Sequence, residues 1–349
     1  MTADVQPAPD TLAATLDPAR PLALLSACPV YQATPFGPRM VAGREILVKD
    51  ETARMRLGAF KALGGVYAVA ALIAERWQAE TGEALSPEDY QRADVAAFAG
   101  GLTFLCASAG NHGMAVAAGA RLFGARAKIL LSEIVPQAFA ERLVAKGATV
   151  GRAGQVYDES IAAAIEEAAA TGAIHLADGS WPGYTHAPRL VMEGYTVMAE
   201  EMRTTLEGTG RWPSHVFLQA GVGGLAAAVA VMIRRNWAVQ PEIIVVEPEA
   251  APCLAASHAA GACVRVEGPV SAMGRLDCKV PSALAFDALE GADVRYLTVT
   301  EEEAAEAVTA LAEAGIATTP SGAAGLAGLS KTTLPPDARA LLIVSEGPA

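Results

Sequence analysis

The sequence predicts an α/β fold in which mostly parallel sheets are covered by helices. Short apolar runs of strand length alternate with stretches of helical periodicity along most of the chain. Strands that are apolar throughout are typical of parallel sheets, because crossover helices cover both faces of such sheets. Two glycine-rich loops each lie between a predicted strand and a predicted helix. The length of 349 residues suggests two domains of ordinary size.

Composition argues against several classes of partner. The sequence is 52% hydrophobic and 18% charged, which is not a disordered composition. Its net charge of -12 argues against nucleic acid and anionic membrane surfaces as partners. No apolar run reaches the roughly 20 residues of a membrane span, and no secretory signal is visible. Five cysteines in a chain of this length favour free thiols in a reducing compartment, so we expect a cytoplasmic protein.

The first half of the chain begins with a segment that we expect to cover the surface. Residues 1–25 carry Pro and Ala without clear periodicity. Residues 45–50 predict a short buried strand, and helical spacing runs over residues 60–77. Further strands are predicted at 102–107, 127–131, 149–150 and 174–176, and further helices at 114–123, 136–146 and 157–170.

The second half continues the alternation of helices and strands. Helices are predicted at 190–206, 224–234 and 301–314, with another that begins over 323–329. Strands are predicted at 215–218, 243–246 and 341–344. No internal repeat is visible.

One lysine stands among small and apolar residues where a helical pattern begins. Residues 58–65 read GAFKALGG, with Lys61 between Phe60 and Leu63. Burial against these two side chains would disfavour the charged form of Lys61 and expose a nucleophilic amine. Such an amine can hold an aldehyde cofactor as a Schiff base. The alternative is a solvated lysine at a helix start, which is the common case for a single lysine.

The first glycine-rich loop, residues 108–113, reads SAGNHG between a strand and a helix. A helix N-terminus offers unpaired N–H groups that suit a carboxylate or a phosphate. Asn111 could also donate a hydrogen bond to a phenolate oxygen. A tight turn with an Asn cap is the alternative interpretation. His112 has no second His at ligand spacing, so we expect no metal site.

The second glycine-rich loop, residues 219–225, reads QAGVGGL between another strand and another helix. Its successive N–H groups could enclose a phosphate. Gly221, Gly223 and Ala226 also fit a dinucleotide fingerprint, and Glu247 ends the next strand where a ribose-binding acid is expected. This loop alone therefore leaves an NAD-binding oxidoreductase open. That alternative gives Lys61 no role.

The ordered motifs AFKALGG, SAGNHG and QAGVGGL resemble those of fold type II (tryptophan synthase β-like) enzymes that use pyridoxal 5'-phosphate (PLP). The diaminopropionate ammonia-lyase family is the nearest resemblance, with features of threonine and serine dehydratases. The stretches that narrow it are KDETARMRLGAFKALGG (49–65), LADGSWPGYTHAP (176–188), VVEPEAAPCL (245–254), MGRLDCKVPS (273–282), PSGAAGLAGL (320–329) and LLIVSEG (341–347). Together they extend over residues 35–347.

The resemblance implies an architecture of two domains. A large PLP-binding domain would comprise residues 1–65 and 190–349, and a small inserted α/β domain would comprise residues 66–189. The cofactor would lie in the cleft between them. The family is usually homodimeric, so a homodimer is expected.

The resemblance also implies roles for single residues. Lys61 would hold the cofactor as a Schiff base beside Phe60, and Asn111 would bond its ring oxygen. Ser345 would face the pyridine nitrogen. The cofactor phosphate would be held by Gly221, Val222, Gly223, Gly224 and Leu225. The substrate would be bound by Ser108, Ala109, Gly110, Asn111 and His112.

The implied chemistry is α,β-elimination on a small L-amino acid that carries a leaving group at its β-carbon. Lys61 would take the α-proton, and the products would be a 2-oxo acid and ammonia. Asp178 would be the second catalytic group, either as an acid/base or as the partner of a β-ammonium group. Its alternative is a solvated loop aspartate before a glycine. Trp181, Tyr184 and Tyr195 are interpreted as packing residues.

One position departs from the family pattern. The ammonia-lyases usually carry an Asp where this chain has Ala109, and that Asp is linked to D-isomers. Weak or absent activity on D-diaminopropionate is therefore expected. His186 likewise stands where the family has an acidic pair. 2,3-Diaminopropionate is the first expected substrate, and threonine, serine or 3-hydroxyaspartate is the alternative. A catalytically silent PLP-binding protein is a third possibility.

Overall fold

The fold was analysed in a computed structural model that describes residues 12–348. The chain forms two parallel-rich β-sheets with helices packed around them. The predicted α/β fold class is thereby confirmed.

The larger sheet has six strands, and only its first strand is antiparallel to its neighbour. In chain order these strands are β1 (Phe36–Val41), β2 (Arg44–Asp50), β7 (His215–Gln219), β8 (Glu242–Pro248), β9 (Val294–Val299) and β10 (Ala340–Val344). Their order across the sheet is β1-β2-β10-β7-β8-β9. β1 and β9, the edge strands, escape sequence prediction because they are only partly buried and lack an apolar run.

The smaller sheet has four strands, all parallel. They are β3 (Thr103–Ala107), β4 (Arg126–Leu131), β5 (Thr149–Arg152) and β6 (Ile174–His175), in the order β5-β4-β3-β6. All four lie between residues 66 and 189, and every strand of the larger sheet lies outside this range. The exact limits of the two proposed domains remain a prediction.

The long helices follow the sequence prediction to within a few residues. They are α3 (Lys61–Thr81), α5 (Asn111–Leu122), α6 (Gln137–Ala145), α7 (Tyr157–Thr171), α8 (His186–Thr209), α9 (Gly224–Asn236), α12 (Glu301–Glu313) and α13 (Pro320–Lys331). Short helices that carry too few turns for a clear period are α1 (Leu12–Thr15), α2 (Ala19–Ser26), α4 (Ala93–Gly100), α10 (Cys253–Ala260) and α11 (Ala283–Glu290). Two 3₁₀ turns cover Arg54–Arg56 and Pro87–Gln91.

The N-terminal segment does not merely cover the surface, and that expectation is wrong for its described part. Leu12, Leu16 and Leu25 are buried in the main core. α2 packs against α3 and α8. Pro18 and Pro21 do not prevent the helix, because one precedes it and the other lies in its first turn. Residues 1–11 lie outside the described part of the chain.

α3 forms the centre of the molecule. It packs along α5 on one side and α8 on another, and α8 in turn packs against α9. Most of α3 is buried, from Ala62 to Ile73. This tight contact among four helices fixes the start of α3 relative to the starts of α5 and α9.

The carboxyl ends of the parallel strands define one region of the molecule. The loop 108–110 follows β3, the loop 220–223 follows β7, and Ser345 follows β10. Ligands of open parallel sheets bind at this edge, because the loops and helix N-termini there are free to contact them. The structure therefore brings the predicted loops to the side where a ligand is expected. No helix among residues 12–348 is long and apolar enough to cross a membrane.

Candidate active site

Lys61 is the first residue of α3, and its position is fixed by the end of the chain. The N–H of Phe60 donates to the carbonyl of Ser345 at 3.1 Å, and the N–H of Gly347 donates to the carbonyl of Gly58 at 2.9 Å. The residues before Lys61 are thus paired with those that follow β10. The Phe60 ring centre lies 5.1 Å from Lys61 Nζ.

Asp178 is the partner of Lys61, although the two are distant in sequence. Lys61 Nζ donates to Asp178 Oδ2 at 2.6 Å, and the two side chains are 17% and 20% exposed. Burial opposes both charges, but the attraction between them outweighs it. The pKa of Lys61 is therefore raised and that of Asp178 lowered. Burial disfavours the charged form of Lys61, as the sequence suggested, but apolar neighbours alone do not set its charge, and the contact with Asp178 keeps the amine protonated.

The loop that carries Asp178 is anchored to the larger sheet's side of the molecule. Ser180 and Ser282 share a hydrogen bond at 2.8 Å between their hydroxyls. The N–H of Leu284 also donates to the Ser180 hydroxyl at 2.8 Å. The Tyr184 hydroxyl accepts from the N–H of Ala177 at 3.0 Å. These contacts hold Asp178 opposite Lys61.

The glycine loop after β7 is mostly buried and carries N–H groups that are not used within the described structure. Gly223 has φ of +99° and caps α9, a conformation that a side chain would strain. A Cβ at Gly221 would lie 2.9 Å from Cys278 Sγ, so a larger residue would displace the neighbouring segment. Among the described residues, the N–H groups of Gly221, Gly223, Gly224 and Leu225 have no protein acceptor. They form a cradle of free donors at the positive end of α9.

Tyr195 of α8 also lies in this region. The sequence analysis interpreted it as a packing residue and missed this position. Its side chain is buried and its hydroxyl has no hydrogen-bond partner among residues 12–348. Its ring centre lies 5.8 Å from Lys61 Nζ and 4.9 Å from the Phe60 ring centre. A Cβ at Gly224 would lie 3.7 Å from the Tyr195 ring. Burial raises the pKa of Tyr195 to about 12, so the hydroxyl keeps its proton and can donate it to a ligand.

Asn111 begins α5, the helix that follows the other glycine-rich loop. Ser108, Ala109 and Gly110 precede it and are partly buried. The Asn111 amide nitrogen donates to the Glu346 carboxylate, a partner that the sequence did not suggest. The structure therefore brings the start of α5 next to the residues after β10.

The His112 side chain is buried in the protein. Its Nε2 lies 2.7 Å from the carbonyl of Leu176, which only accepts, so Nε2 carries the proton. Burial lowers the pKa of His112, and its Nδ1 is buried without a partner in the described structure. The backbone of His112 belongs to the same loop as Asn111. Its side-chain hydrogen bond goes to Leu176 and not to Lys61.

Ser345 lies directly after β10 and is buried. Its carbonyl accepts from Phe60, so the residue stands beside the start of α3. His186, which stands where the family has an acidic pair, contacts Glu75 at 2.7 Å on the surface. Within residues 12–348 no group of three or more His, Cys, Asp or Glu side chains could hold a metal ion.

Glu247 does not bind a ribose in this fold. It is fully buried, and its two carboxylate oxygens accept the N–H groups of Leu254 and Ala255 at 2.7 and 2.8 Å. Burial raises the pKa of Glu247 to about 7. A carboxylate that caps α10 in this way is not available to a nucleotide, which removes the acid that the NAD interpretation required.

Comparisons with known proteins identify relatives that share the fold. Residues 28–346 match the family model described as "Pyridoxal-phosphate dependent enzyme". Diaminopropionate ammonia-lyase of Escherichia coli K12 is 31% identical over 306 residues, which cover 86% of this chain and 76% of that protein. L-threonine ammonia-lyase of Thermotoga maritima is 29% identical over 290 residues, 82% of this chain and 63% of the relative.

A solved structure agrees with these sequence matches. The E. coli diaminopropionate ammonia-lyase in complex with an aminoacrylate–PLP azomethine reaction intermediate aligns with a TM-score of 0.82. It is 28% identical, and the alignment covers 95% of this chain and 88% of the other.

The site residues fit the cofactor that this family uses. The phosphate of PLP is an anion that needs several donors, and the glycine cradle offers four free N–H groups at a helix N-terminus. The unpartnered Tyr195 hydroxyl supplies a further donor beside Gly224. Lys61, the amine required for an aldehyde, stands near Phe60 and Tyr195. If Lys61 and Asp178 formed only a structural ion pair, the free N–H groups of the cradle and the Tyr195 hydroxyl would have no reason to lie unpaired beside it.

Proposed function

Because the chain belongs to the PLP-dependent enzymes of fold type II, we propose that it removes the β-substituent of a small L-amino acid by α,β-elimination. It is a PLP-dependent lyase of the ammonia-lyase and dehydratase group. The products are a 2-oxo acid and ammonia. The proposed first substrate is 2,3-diaminopropionate, which the similar E. coli enzyme is named for. The contact of Lys61 Nζ with Asp178 Oδ2 at 2.6 Å is the observation that carries this proposal.

Several residues would hold the cofactor. Lys61 would bind it covalently beside Phe60, while Asn111 and Ser345 would contact its ring. The glycine cradle of Gly221, Gly223, Gly224 and Leu225, with Val222 of the same loop and the Tyr195 hydroxyl, would bind the phosphate. When bound, PLP withdraws electrons from the substrate's α-carbon and so makes the α-proton removable.

Lys61 and Asp178 would move the protons of the reaction. Lys61 would take the α-proton at Nζ. The Asp178 carboxylate is kept ionised by the positive charge of Lys61 against the effect of burial. When Lys61 loses that charge, burial acts without opposition and raises the proton affinity of Asp178. Asp178 can then hold the proton that Lys61 releases across their contact and donate it to a departing β-hydroxyl or unprotonated β-amino group, while the neutral Lys61 amine takes the α-proton.

The loop 108–112 would bind the substrate's carboxylate. It lies at the N-terminus of α5, where N–H groups and the helix dipole favour an anion. Ala109 adds neither charge nor a proton acceptor to this loop. The loop therefore supports binding of an amino-acid carboxylate, and Ala109 offers no second base for a D-isomer.

A β-hydroxy amino acid is the second candidate substrate. Ala109 is the observation that favours it, because no acidic side chain of residues 108–112 is present to bind a β-ammonium group. Threonine, serine and 3-hydroxyaspartate each carry a hydroxyl that Asp178 could protonate as it leaves. Asp178 remains the one acid that contacts Lys61 among the described residues.

A homodimer in the cytoplasm is also proposed. All five cysteines are free thiols, as in proteins of reducing compartments. Light scattering of the purified protein tests the oligomeric state, since a dimer scatters with twice the mass of the 35.8 kDa chain. A mass of one chain would exclude the dimer. Fractionation of the source cells tests the compartment, and recovery outside the cytoplasmic fraction would exclude it.

The visible absorbance of the purified protein is the primary test. PLP bound to Lys61 should give a band that returns when the cofactor is removed and supplied again. L- and D-diaminopropionate, L-threonine and L-serine are then added in turn while 2-oxo acid is measured. Product from L-diaminopropionate alone supports an ammonia-lyase, and product from a hydroxy amino acid alone supports a dehydratase. Absence of any band would contradict the cofactor assignment.

Asp178→Asn tests the second catalytic group. The variant should keep the absorbance band but lose about 10²–10³-fold in turnover, the usual contribution of a positioned acid or base. Glu167→Gln, which breaks the surface pair of Lys128 and Glu167, serves as the matched control. Turnover equal to that of the wild type would return Asp178 to a purely structural role.

A further inference from the structure

A second buried carboxylate lies close to the predicted cofactor contacts. Glu346 follows Ser345 and its side chain is almost completely buried. Its Oε2 accepts from the Asn111 amide nitrogen and lies 3.4 Å from Arg275 Nε. Its Oε1 accepts from the Thr319 hydroxyl, the N-cap of α13. Two hydrogen-bond donors and one ion-pair partner, from three different segments, therefore converge on this one carboxylate.

The backbone of Glu346 is held as firmly as its side chain. Its carbonyl accepts from the Thr318 hydroxyl, and the residue forms an isolated bridge with Ala59. The neighbouring Ser345 and Gly347 pair with Phe60 and Gly58. Glu346 thus joins the residues before Lys61, in the larger sheet's part of the molecule, to the start of α5 beside the smaller sheet.

The contact decides which atom of the Asn111 amide faces Glu346. An ionised carboxylate only accepts, so the amide nitrogen must face it, and the amide oxygen cannot take its place without a repulsive contact. One N–H of Asn111 is then used by Glu346. The second N–H of the same nitrogen and the amide oxygen remain for a ligand.

We propose that Glu346 is a positioning residue that fixes the Asn111 amide for contact with the cofactor. This proposal rests on the proposed function, which gives Asn111 its ligand. Without Glu346, the amide would be free to rotate and would present its oxygen as often as its nitrogen. A ring oxygen that needs a donor would then be bound less well. Thr319 and Arg275 hold the carboxylate in place for this task.

A double-mutant cycle on cofactor affinity tests the proposal. Glu346→Ala, Asn111→Ala and the double variant are prepared as apoproteins, and the dissociation constant of PLP is measured from the visible absorbance. Each single variant should bind PLP about tenfold more weakly, the effect of one hydrogen bond to a charged group. The double variant should also bind about tenfold more weakly, because both changes remove the same interaction. Multiplication of the two effects to about a hundredfold would overturn the proposal.

A conservative change and a control sharpen this test. Glu346→Gln keeps an acceptor for Asn111 at nearly the same volume and should stay within about threefold of the wild type. Glu193→Ala is the control, because it removes another buried carboxylate, which accepts from Tyr67 and Arg20. Any effect of this variant on the PLP dissociation constant should multiply with the effect of Asn111→Ala. Should Glu346→Ala not fold, Glu346→Met replaces it. A Gln variant as weak as the Ala variant would also contradict the proposal.

The outcomes separate this proposal from the proposed function. Wild-type apoprotein that binds no PLP would overturn the proposed function and the positioning role together. Wild-type protein that binds PLP while the two variants act independently would overturn the positioning role alone. A third outcome is that the Glu346→Ala and Asn111→Ala apoproteins unfold at equally lowered midpoints while Glu346→Ala binds PLP with unchanged affinity. That outcome would assign Glu346 a structural role only.

Discussion

Lys49 and Lys61 are both lysines that contact carboxylates inside the protein, yet their surroundings differ. Lys49 is fully buried and contacts Glu201 and the carbonyl of Thr34, with Glu51 at 3.9 Å. Arg54 completes this cluster, and its nitrogens contact Glu51 and Glu201 at 2.7–2.8 Å. Lys61 has one carboxylate partner and retains some exposure. We refer to Lys49, Glu51, Arg54 and Glu201 as the four-residue charge network.

The difference lies in what remains unsatisfied. In the charge network every charged group has an opposite partner, and Thr34 and Gln32 accept or donate the remaining bonds. Around Lys61, by contrast, the glycine cradle and the Tyr195 hydroxyl have no partner in the described structure. A buried lysine with a carboxylate is therefore not sufficient evidence of chemistry. Unsatisfied groups beside it are the informative observation, because buried polar groups are normally paired.

The same contrast appears in the pKa of the two lysines. Burial lowers the pKa of Lys49 in spite of its two carboxylates, and the positive charge of Arg54 lowers it further. Burial also acts on Lys61, but Asp178 has no second cation and raises the lysine's pKa. One helix, α8, contributes Glu201 to the network and Tyr195 to the site. The two regions thus share a scaffold while serving stability and ligand binding separately.

Lys61→Ala should have the largest effect on function. The variant should lose the visible cofactor band and about 10³-fold or more of turnover, since both the covalent attachment and the base are gone. Its unfolding midpoint should fall less than that of a variant in a fully buried ion pair, because Asp178 keeps some exposure and can take up a proton when its partner is gone. Absorbance and circular dichroism measure the two effects. Lys128→Ala, in a surface pair, is the control, and a surviving band in Lys61→Ala would refute the lysine assignment.

Arg54→Met should have the largest effect on stability. It leaves Glu51 and Glu201 buried with one cation instead of two, and removing one partner of a buried pair costs about 3–5 kcal/mol. Urea unfolding of the apoprotein measures the loss. Arg203→Met, which breaks partly exposed pairs with Glu200 and Glu207, should cost much less and is the matched control. Equal losses in both variants would show that burial of the network contributes nothing.

Glu247→Gln tests a buried carboxylate that has no cation at all. Because its pKa in the folded protein is raised to about 7, ionisation of Glu247 destabilises the fold. Its stabilising contribution is complete below the unfolded pKa of about 4.5 and is lost as pH rises through about 7. The wild type should therefore lose about 2–3 kcal/mol relative to the variant between pH ~5 and ~8. Urea unfolding measures this difference in the free energy of unfolding. A constant difference between wild type and variant across this pH range would contradict the assignment.

Tyr195→Phe tests whether the unsatisfied hydroxyl belongs to the cofactor site. Loss of one hydrogen bond to a phosphate should weaken PLP binding about tenfold. The unfolding midpoint of the apoprotein should not fall, because the buried hydroxyl has no partner to lose. Tyr67→Phe, which removes a hydroxyl bonded to Glu193, is the control and should lower the midpoint without weakening PLP binding. Unchanged PLP affinity in Tyr195→Phe would return the residue to packing.

Ala109→Asp should have the smallest effect. A carboxylate beside Gly110 would add a proton acceptor to the substrate loop, and turnover of D-diaminopropionate should rise about tenfold above the wild type. Turnover of the L-isomer should change by less. Ala109→Asn, of the same shape but without basicity, is the control. Equal D-isomer turnover in the Asp and Asn variants would show that the added group does not act as a base.

The sequence by itself determined the order of helices and strands, the glycine loops and the lysine that begins α3. These features are local, since apolar spacing, a glycine run and a lysine among small residues can be recognised within a few positions. The buried leucines 12, 16 and 25 escaped sequence prediction, because prolines interrupt this segment and its two helices are short. Even the departure at Ala109 is visible in one motif.

Only the tertiary structure decided which distant residues meet. Asp178 lies 117 residues after Lys61, and Asn111 lies 235 residues before Glu346, so no local pattern could pair them. The same holds for Tyr195, whose lack of a partner is a property of everything packed around it. The charge of Lys61 followed from such a contact. A pKa depends on burial and on every nearby charge together, and both are fixed only when the two sheets and the helices between them are assembled.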